Sequence, residues 1–326
     1  MNRQLFQALQ PTLYQAGILA TNNTWVGGTT ALSSTCTAIC WSPELRLFVG
    51  VGSTSFGNPL GAYSSNGTSW TTFNHMDASS NPAYSCVCWS PELGLFCAGG
   101  TSASGVGGIQ TSPDGTNWTL RHLPGTRTIS SVCWAPELGL FVGACYGVAA
   151  VVVSPDGINW GVYSTAGGTT QSAICWSPEL GRLVIVQDSN GAITTSSNGT
   201  SWSSVLTSFT STSVCWSPEL GLFVAYAWSS TSILTSVDGI VWTASSMPTY
   251  SSGNWQSLCW SSELSLFCMV STNTTSVVTS PDGINWTVRS PSGVIYSKAI
   301  CWSPDLGRFC AFASSATNTT MASRIG

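Results

Sequence analysis

Short β-favouring apolar runs alternate with turn signals along almost the whole chain. One stretch represents the rest: Ser213-Val-Cys-Trp216 reads as a strand, and Pro218-Glu-Leu-Gly221 supplies turn chemistry. Leu222-Phe-Val-Ala-Tyr226 is a second strand that closes a hairpin. After a variable loop, Ile233-Leu-Thr235 forms a third strand, Val237-Asp-Gly239 turns it, and Val241-Trp-Thr243 opens a fourth. The first two strands (a and b) are almost continuously apolar, as befits a sheet covered on both faces. No part of the pattern carries the helical period.

The unit recurs. Cys-Trp-Ser-Pro-Glu-Leu, with minor variants, begins at Cys40, Cys88, Cys133, Cys175, Cys215, Cys259 and Cys301, at spacings of 48, 45, 42, 40, 44 and 42 residues. A second string, Ser-Pro-Asp-Gly-x-Asn-Trp in its fullest form, follows the first six copies and ends at Trp70, Trp118, Trp160, Trp202, Trp242 and Trp286. Four-stranded units at this period stack radially, so the expected fold is all-β: a seven-bladed β-propeller with antiparallel blades. The seventh unit stops where its fourth strand should begin, and Asn22-Asn-Thr-Trp-Val26 resembles a fourth strand with no blade before it. The N-terminal strand is therefore expected to complete the last blade and to remove two open edges. An open solenoid is the alternative, but no capping units are visible. The expected layout is an extension over 1–20 and the propeller over 21–326.

Composition narrows the function. Charged residues make up only 7% of 326, the net charge is −4, and Lys plus Arg number nine. Coiled coils and charge-driven disorder are excluded, and the basic footprint for nucleic acid is lacking. No apolar run is long enough for a membrane span.

Ser112-Pro-Asp-Gly-Thr-Asn-Trp118, Ser154-Pro-Asp-Gly-Ile-Asn-Trp160 and Ser280-Pro-Asp-Gly-Ile-Asn-Trp286 resemble the Asp-box of sialidase-like propellers. Gly follows Asp directly here, making the turn one residue tighter. Asn66 and Asn198 replace the Asp in units one and four. In that family the box is a folding element remote from the active site, so the resemblance implies fold rather than activity. The whole unit also resembles repeats in predicted propellers of large DNA viruses and bacteriophages. That resemblance implies a virion-associated or host-surface-binding context.

Recurrence separates architecture from remainder. Glu44, Glu92, Glu137, Glu179, Glu219 and Glu263, with Asp305 as their counterpart, share one hairpin turn, and Asp114, Asp156, Asp238 and Asp282 share the other. These eleven carboxylates are expected to accept backbone N–H bonds and hold tight turns. Only Asp77 and Asp188 remain. Of sixteen Trp, fourteen recur and are expected to pack between blades, leaving Trp228 and Trp255. Cys97, Cys268 and Cys310 alternate with Val49, Val142, Val184 and Val224, so the site wants a small apolar side chain. Thirteen Cys without a C-x-x-C pair suggest a reducing cytoplasm, and no metal or cofactor is implied.

The a–b and c–d turns belong to one face and are nearly invariant. The b–c and d–a loops belong to the other and vary, which is where binding residues are usually carried. Candidates there are His75, Asp77, Tyr84, Arg121, His122, Arg127, Trp228, Tyr250, Asn254 and Trp255. Trp228 and Trp255 are expected to pair as an aromatic site for a host-surface glycan or protein. The enzyme reading is weaker. His75 and Asp77 make a poor general-base pair, and the arginines a sialidase-type site would need, Arg46, Arg182 and Arg308, fall near the a–b turns. The expectation is a non-enzymatic binding module, virion-associated, with residues 1–20 as a cap or an anchor to an assembly rather than a signal peptide. The alternatives are a purely architectural virion protein and a glycan-directed hydrolase.

Overall fold

The structure, a computed structural model, describes residues 25–29, 35–53, 61–73, 83–101, 108–227, 232–247, 254–274, 276–289, 296–313 and 319–323. They contain twenty-eight strands and no helix. The strands form seven four-stranded antiparallel blades in a ring, a β-propeller. Blade five illustrates the unit: strand a is Ser211–Ser217, b is Leu222–Ala227, c is Ser232–Ser236 and d is Thr243–Ser246. Strand a starts two residues earlier than its apolar run, and strand d starts after Trp242 instead of at Val241.

The ring closes as expected. Trp25–Thr29 pairs antiparallel with Thr319–Ser323, Trp25 opposite Ser323, and serves as strand d of blade seven. The Trp25 side chain is buried among Cys268, Val270, Ile300 and Phe309. Residues 1–24 lie outside the described residues, so the extension over 1–20 is not placed.

Blades one, two, three, five and six are each held from within by an aromatic stack, and in blade four Leu183 stands where the central phenylalanine would be. Phe48 of strand b sits 4.5 Å from Trp41 and 6.1 Å from Trp70. The same trio recurs at Trp89–Phe96–Trp118 and Trp260–Phe267–Trp286. Such pairs add about 0.5–1.5 kcal/mol each beyond the area they bury.

The c–d turn is self-sufficient. Ser154 Oγ accepts from the Gly157 amide at 2.8 Å, and Asp156 Oδ1 accepts from the Ile158 and Asn159 amides, both at 2.8 Å. Asn159 Nδ2 donates to Asp156 Oδ2, and Trp160 Nε1 donates to the Gly157 carbonyl. Gly157 takes φ +70°, a conformation that favours glycine. Asn66 Oδ1 and Asn198 Oδ1 accept the same amides, which explains the interchange.

The a–b turn departs from expectation. Its backbone N–H is taken by the preceding serine, as where Ser217 Oγ accepts from Leu220 N at 3.3 Å. Where unit three has Ala135, the Leu138 amide donates to the Ala135 carbonyl instead. The glutamate is thereby released, and it reaches across to the next blade. Trp89 Nε1 donates to Glu44 at 2.6 Å, Trp134 to Glu92 at 2.6 Å and Trp176 to Glu137 at 2.7 Å. Trp216 meets Glu179 at 2.7 Å, Trp260 meets Glu219 at 2.6 Å and Trp302 meets Glu263 at 2.6 Å. Trp41 donates to Asp305 Oδ2 at 3.0 Å and bridges blade seven to blade one. These seven carboxylates join blades; they do not brace their own turns.

Candidate functional site

Strand order sends the a–b and c–d turns to one end of every blade and the b–c and d–a loops to the other. On the variable face, the loops of blades three and four are tied together by hydrogen bonds. The Gly147 amide donates to the Thr169 carbonyl at 2.7 Å, and the Asp188 amide to the Thr170 carbonyl at 3.1 Å. Thr170 and Ser189 share a 2.5 Å hydroxyl contact, while Asn190 Nδ2 donates to the Gly167 carbonyl. Gly167 (φ +106°) and Gly168 permit this closeness, since a Cβ on Gly168 would stand 2.5 Å from Gln187 Oε1. Bound by these contacts, Tyr146, Ser189 and Asn190 present exposed side chains.

Arg127 adjoins this sector, because its neighbour Thr128 pairs with Tyr146 across strands a and b of blade three. Its Nε donates to the Pro124 carbonyl at 3.3 Å, and His122 in the same loop is exposed. Arg121 ends strand d of blade two, where its Nε donates to Thr111 Oγ1 at 2.7 Å. The structure thus sets Arg127 next in sequence to the strand partner of Tyr146, which bridges to Thr170, and ties Asn190 to the same loop pair; sequence reasoning singled out none of these last three. Tyr146, at the end of strand b of blade three, and Asn190, in the b–c loop of blade four, carry no repeat signal that could have marked them.

Beneath these loops lies a buried polar patch. Gln171 Nε2 donates to Thr165 Oγ1 at 2.6 Å, and Gln187 Nε2 to Thr194 Oγ1 at 3.3 Å. Both glutamine carbonyl oxygens are left buried with no hydrogen-bond partner among the described residues.

Two expected surface aromatics are interior. Trp255 opens strand a of blade six and is 1% exposed, among Tyr226, Met247 and Met269. Tyr84, 3% exposed, holds the equivalent position in blade two. The position four residues before the repeat cysteine holds Cys36, Tyr84, Ile129, Gln171, Ser211, Trp255 and Ser297, and all seven are buried. Side chains there point into the joint with the preceding blade, so Trp255 offers no stacking face to solvent. Asn254 directly precedes strand a of blade six and is partly exposed. His75, Asp77, Trp228 and Tyr250 lie outside the described residues.

The cysteines are structural in setting. Strand register places Cys88 opposite Cys97, Cys259 opposite Cys268 and Cys301 opposite Cys310, all as free thiols. Burial pushes the Cys86 thiol up to about 12 and the Cys145 thiol to about 11, away from nucleophilic use. Among the described residues no three His, Cys, Asp or Glu side chains gather to hold a metal ion. No helix there is long and apolar enough to cross a membrane.

No protein-family model matches the chain, and no curated protein matches it in sequence. Solved structures are similar over nearly the whole length. A streptogramin B lyase superimposes with a TM-score of 0.75 at 9% identity, covering 91% of this chain and 96% of that one. YCF48 bound to D1 peptide gives 0.70 at 15% identity, covering 94% and 98%. The WD40 propeller domain of Doa1 gives 0.68 at 10% identity, covering 94% and 98%. At these identities the likeness is one of fold, and it places the chain among proteins with the β-propeller architecture.

Proposed function

We propose that this chain is a non-enzymatic binding module that holds an extended peptide segment of a protein partner on its variable face, across blades three and four. The carrying observation is the hydrogen-bonded loop set that fixes Tyr146, Ser189 and Asn190 beside Arg127. An amphipathic ring, a guanidinium, hydroxyls and an amide suit a peptide, whose backbone offers alternating donors and acceptors. Propellers of similar fold support the reading, one of them bound to a peptide. Another is a lyase, and against that activity here stands the use of eleven of thirteen acids in turns and blade joints. A glycan held between Trp228 and Trp255 is disfavoured by the burial of Trp255. The virion and host-surface context rests on the repeat resemblance and concerns where the module works.

Selection from a displayed peptide library tests this. Selected peptides should lose at least about tenfold in affinity on combined Arg127→Ala, Tyr146→Ala and Asn190→Ala substitution, an effect the size of an interface hot spot. Peptides that bind the triple variant equally well would sink the site. Binding on a glycan array, abolished by Trp228→Ala, would replace the peptide by a glycan.

A further inference from the structure

The constant face carries its own chemistry. All eleven repeated carboxylates stand there, with three cations, Arg46, Arg182 and Arg308, for a formal charge of −8. The remaining sequence holds six cations and two acids, hence +4, and the two parts make the −4 of the chain. The constant face is therefore more negative than the chain as a whole. The seven a–b carboxylates are exposed even while each accepts one indole N–H.

Large apolar side chains are exposed on the same face, at Leu45, Leu93, Leu180 and Leu220 in a–b turns and at Ile158, Val237, Ile240, Val241 and Ile284 in c–d turns. Blade five concentrates them. Its c–d turn reads Ser-Val-Asp-Gly-Ile-Val-Trp, with Val237 where blades two, three and six have Pro and Val241 where they have Asn. These departures leave Val237 67% and Val241 69% exposed, beside Ile240 at 41%. The turn gains nothing from them. In blade three the Asn159 side chain donates through Nδ2 to Asp156 Oδ2, whereas the Val241 side chain has no such donor for Asp238. Oδ1 of Asp238 still takes the Ile240 and Val241 amides at 2.8 Å. The outcome is an apolar knuckle around a carboxylate whose Oδ2 takes no bond from the turn, with the Arg182 guanidinium held at the Asp238 carbonyl beside it, on a strongly negative face.

We propose that the blade-five c–d turn docks a cationic amphipathic protein segment, its apolar side chains on Val237, Ile240 and Val241 and a Lys or Arg on Asp238. The partner's charge follows from the −8 face. A second copy presenting the same face is repelled, and a neutral or acidic partner gains nothing from the surrounding carboxylates. Val on an exposed turn costs solubility with no return inside the fold, and a docked apolar surface supplies that return.

The repeat itself furnishes a variant that will fold. Val237→Pro with Val241→Asn restores the turn used by blades two, three and six, and Asp238→Asn copies blades one and four. The probe is a labelled short peptide of alternating leucine and lysine, followed by fluorescence anisotropy, with a photo-crosslinker to locate it. The intact protein should bind it less tightly as salt rises. Crosslinks should fall within residues 236–241, and the restored turn should weaken binding by about tenfold or more. Asp238→Asn should weaken it severalfold, and Arg127→Ala should leave it unchanged. The proposal is overturned by absence of binding, by equal binding to the restored turn, or by equal binding of a leucine–glutamate peptide. Self-association in sedimentation that the restored turn abolishes would also overturn it, naming a second copy as the occupant.

Discussion

Trp25→Ala probes the seam of the ring. The side chain is 9% exposed and fills the joint between blades six and seven against Val270, Ile300 and Phe309. Emptying such a site costs about 3–5 kcal/mol, against a total stability on the order of 5–15 kcal/mol. In an inner blade the same loss is local, because chain continuity holds the strand in place. At the seam, strand d of blade seven has no c–d turn to hold it, and among the described residues it is fixed by five residue pairs with Thr319–Ser323 and by this indole. The substitution should therefore free the strand well before global unfolding. Hydrogen exchange reads this directly: amides across 25–29 and 319–323 should lose protection, while those of Val151–Val153 in blade three keep theirs. Trp118→Ala, removing a still more deeply buried indole in blade two, should leave 25–29 protected. If Trp25→Ala preserves protection across 319–323, the seam is not the weak joint and the reasoning fails.

Three further outcomes are expected. Glu219→Ala removes the acceptor of Trp260 and should cost about 1–2 kcal/mol in chemical denaturation, with Glu219→Gln costing less because it keeps an acceptor oxygen; identical losses would remove the hydrogen bond from the explanation. Ser265 holds φ +47° where five units have glycine, and the equivalent Gly94, Gly139, Gly181 and Gly221 face open space, so Ser265→Gly should stabilise by about 1 kcal/mol and raise the melting point by ~2 °C. The Asn159 amide holds the Asp156 carboxyl well below the usual carboxylate range, against a smaller opposing effect of burial and with help from the Ile158 amide. Because the folded value lies below the unfolded one, this stabilisation is complete above the ordinary carboxylate pKa and fades as pH falls towards the folded value. Asp156→Asn should flatten the acid limb of the stability curve below about pH 4, and an unchanged limb would show that the carboxylate carries no linkage.

The fold was legible because repetition exposes itself within one chain. Trp41 and its six counterparts mark strand a, and a lone Trp25 without a blade marks the closing strand. The carboxylates were legible as architecture but not in their partners. Glu219 looks like a turn residue from its neighbours, and its real partner, Trp260, is 41 residues away in the next blade. Trp255 misled for a related reason. A residue that departs from the template reads as free for function, yet its position is a buried joint in all seven units that accepts Cys, Tyr, Ile, Gln, Ser or Trp. Tyr146 and Asn190 escaped notice because loops carry no template against which to measure them. What brings them to one surface is the pairing of loops from successive blades.

The carboxylate–tryptophan bridges run unbroken around the molecule, and the bridge between Trp41 and Asp305 ties blade one to the one blade, the seventh, whose strands c and d come from opposite ends of the chain. Strand pairing does there what the c–d turn does elsewhere. The polypeptide is thus topologically a necklace whose clasp matches its beads. New termini opened in any c–d turn, with the old ends ligated, should yield a circular permutant with the same disc, differing only in which blade carries the clasp.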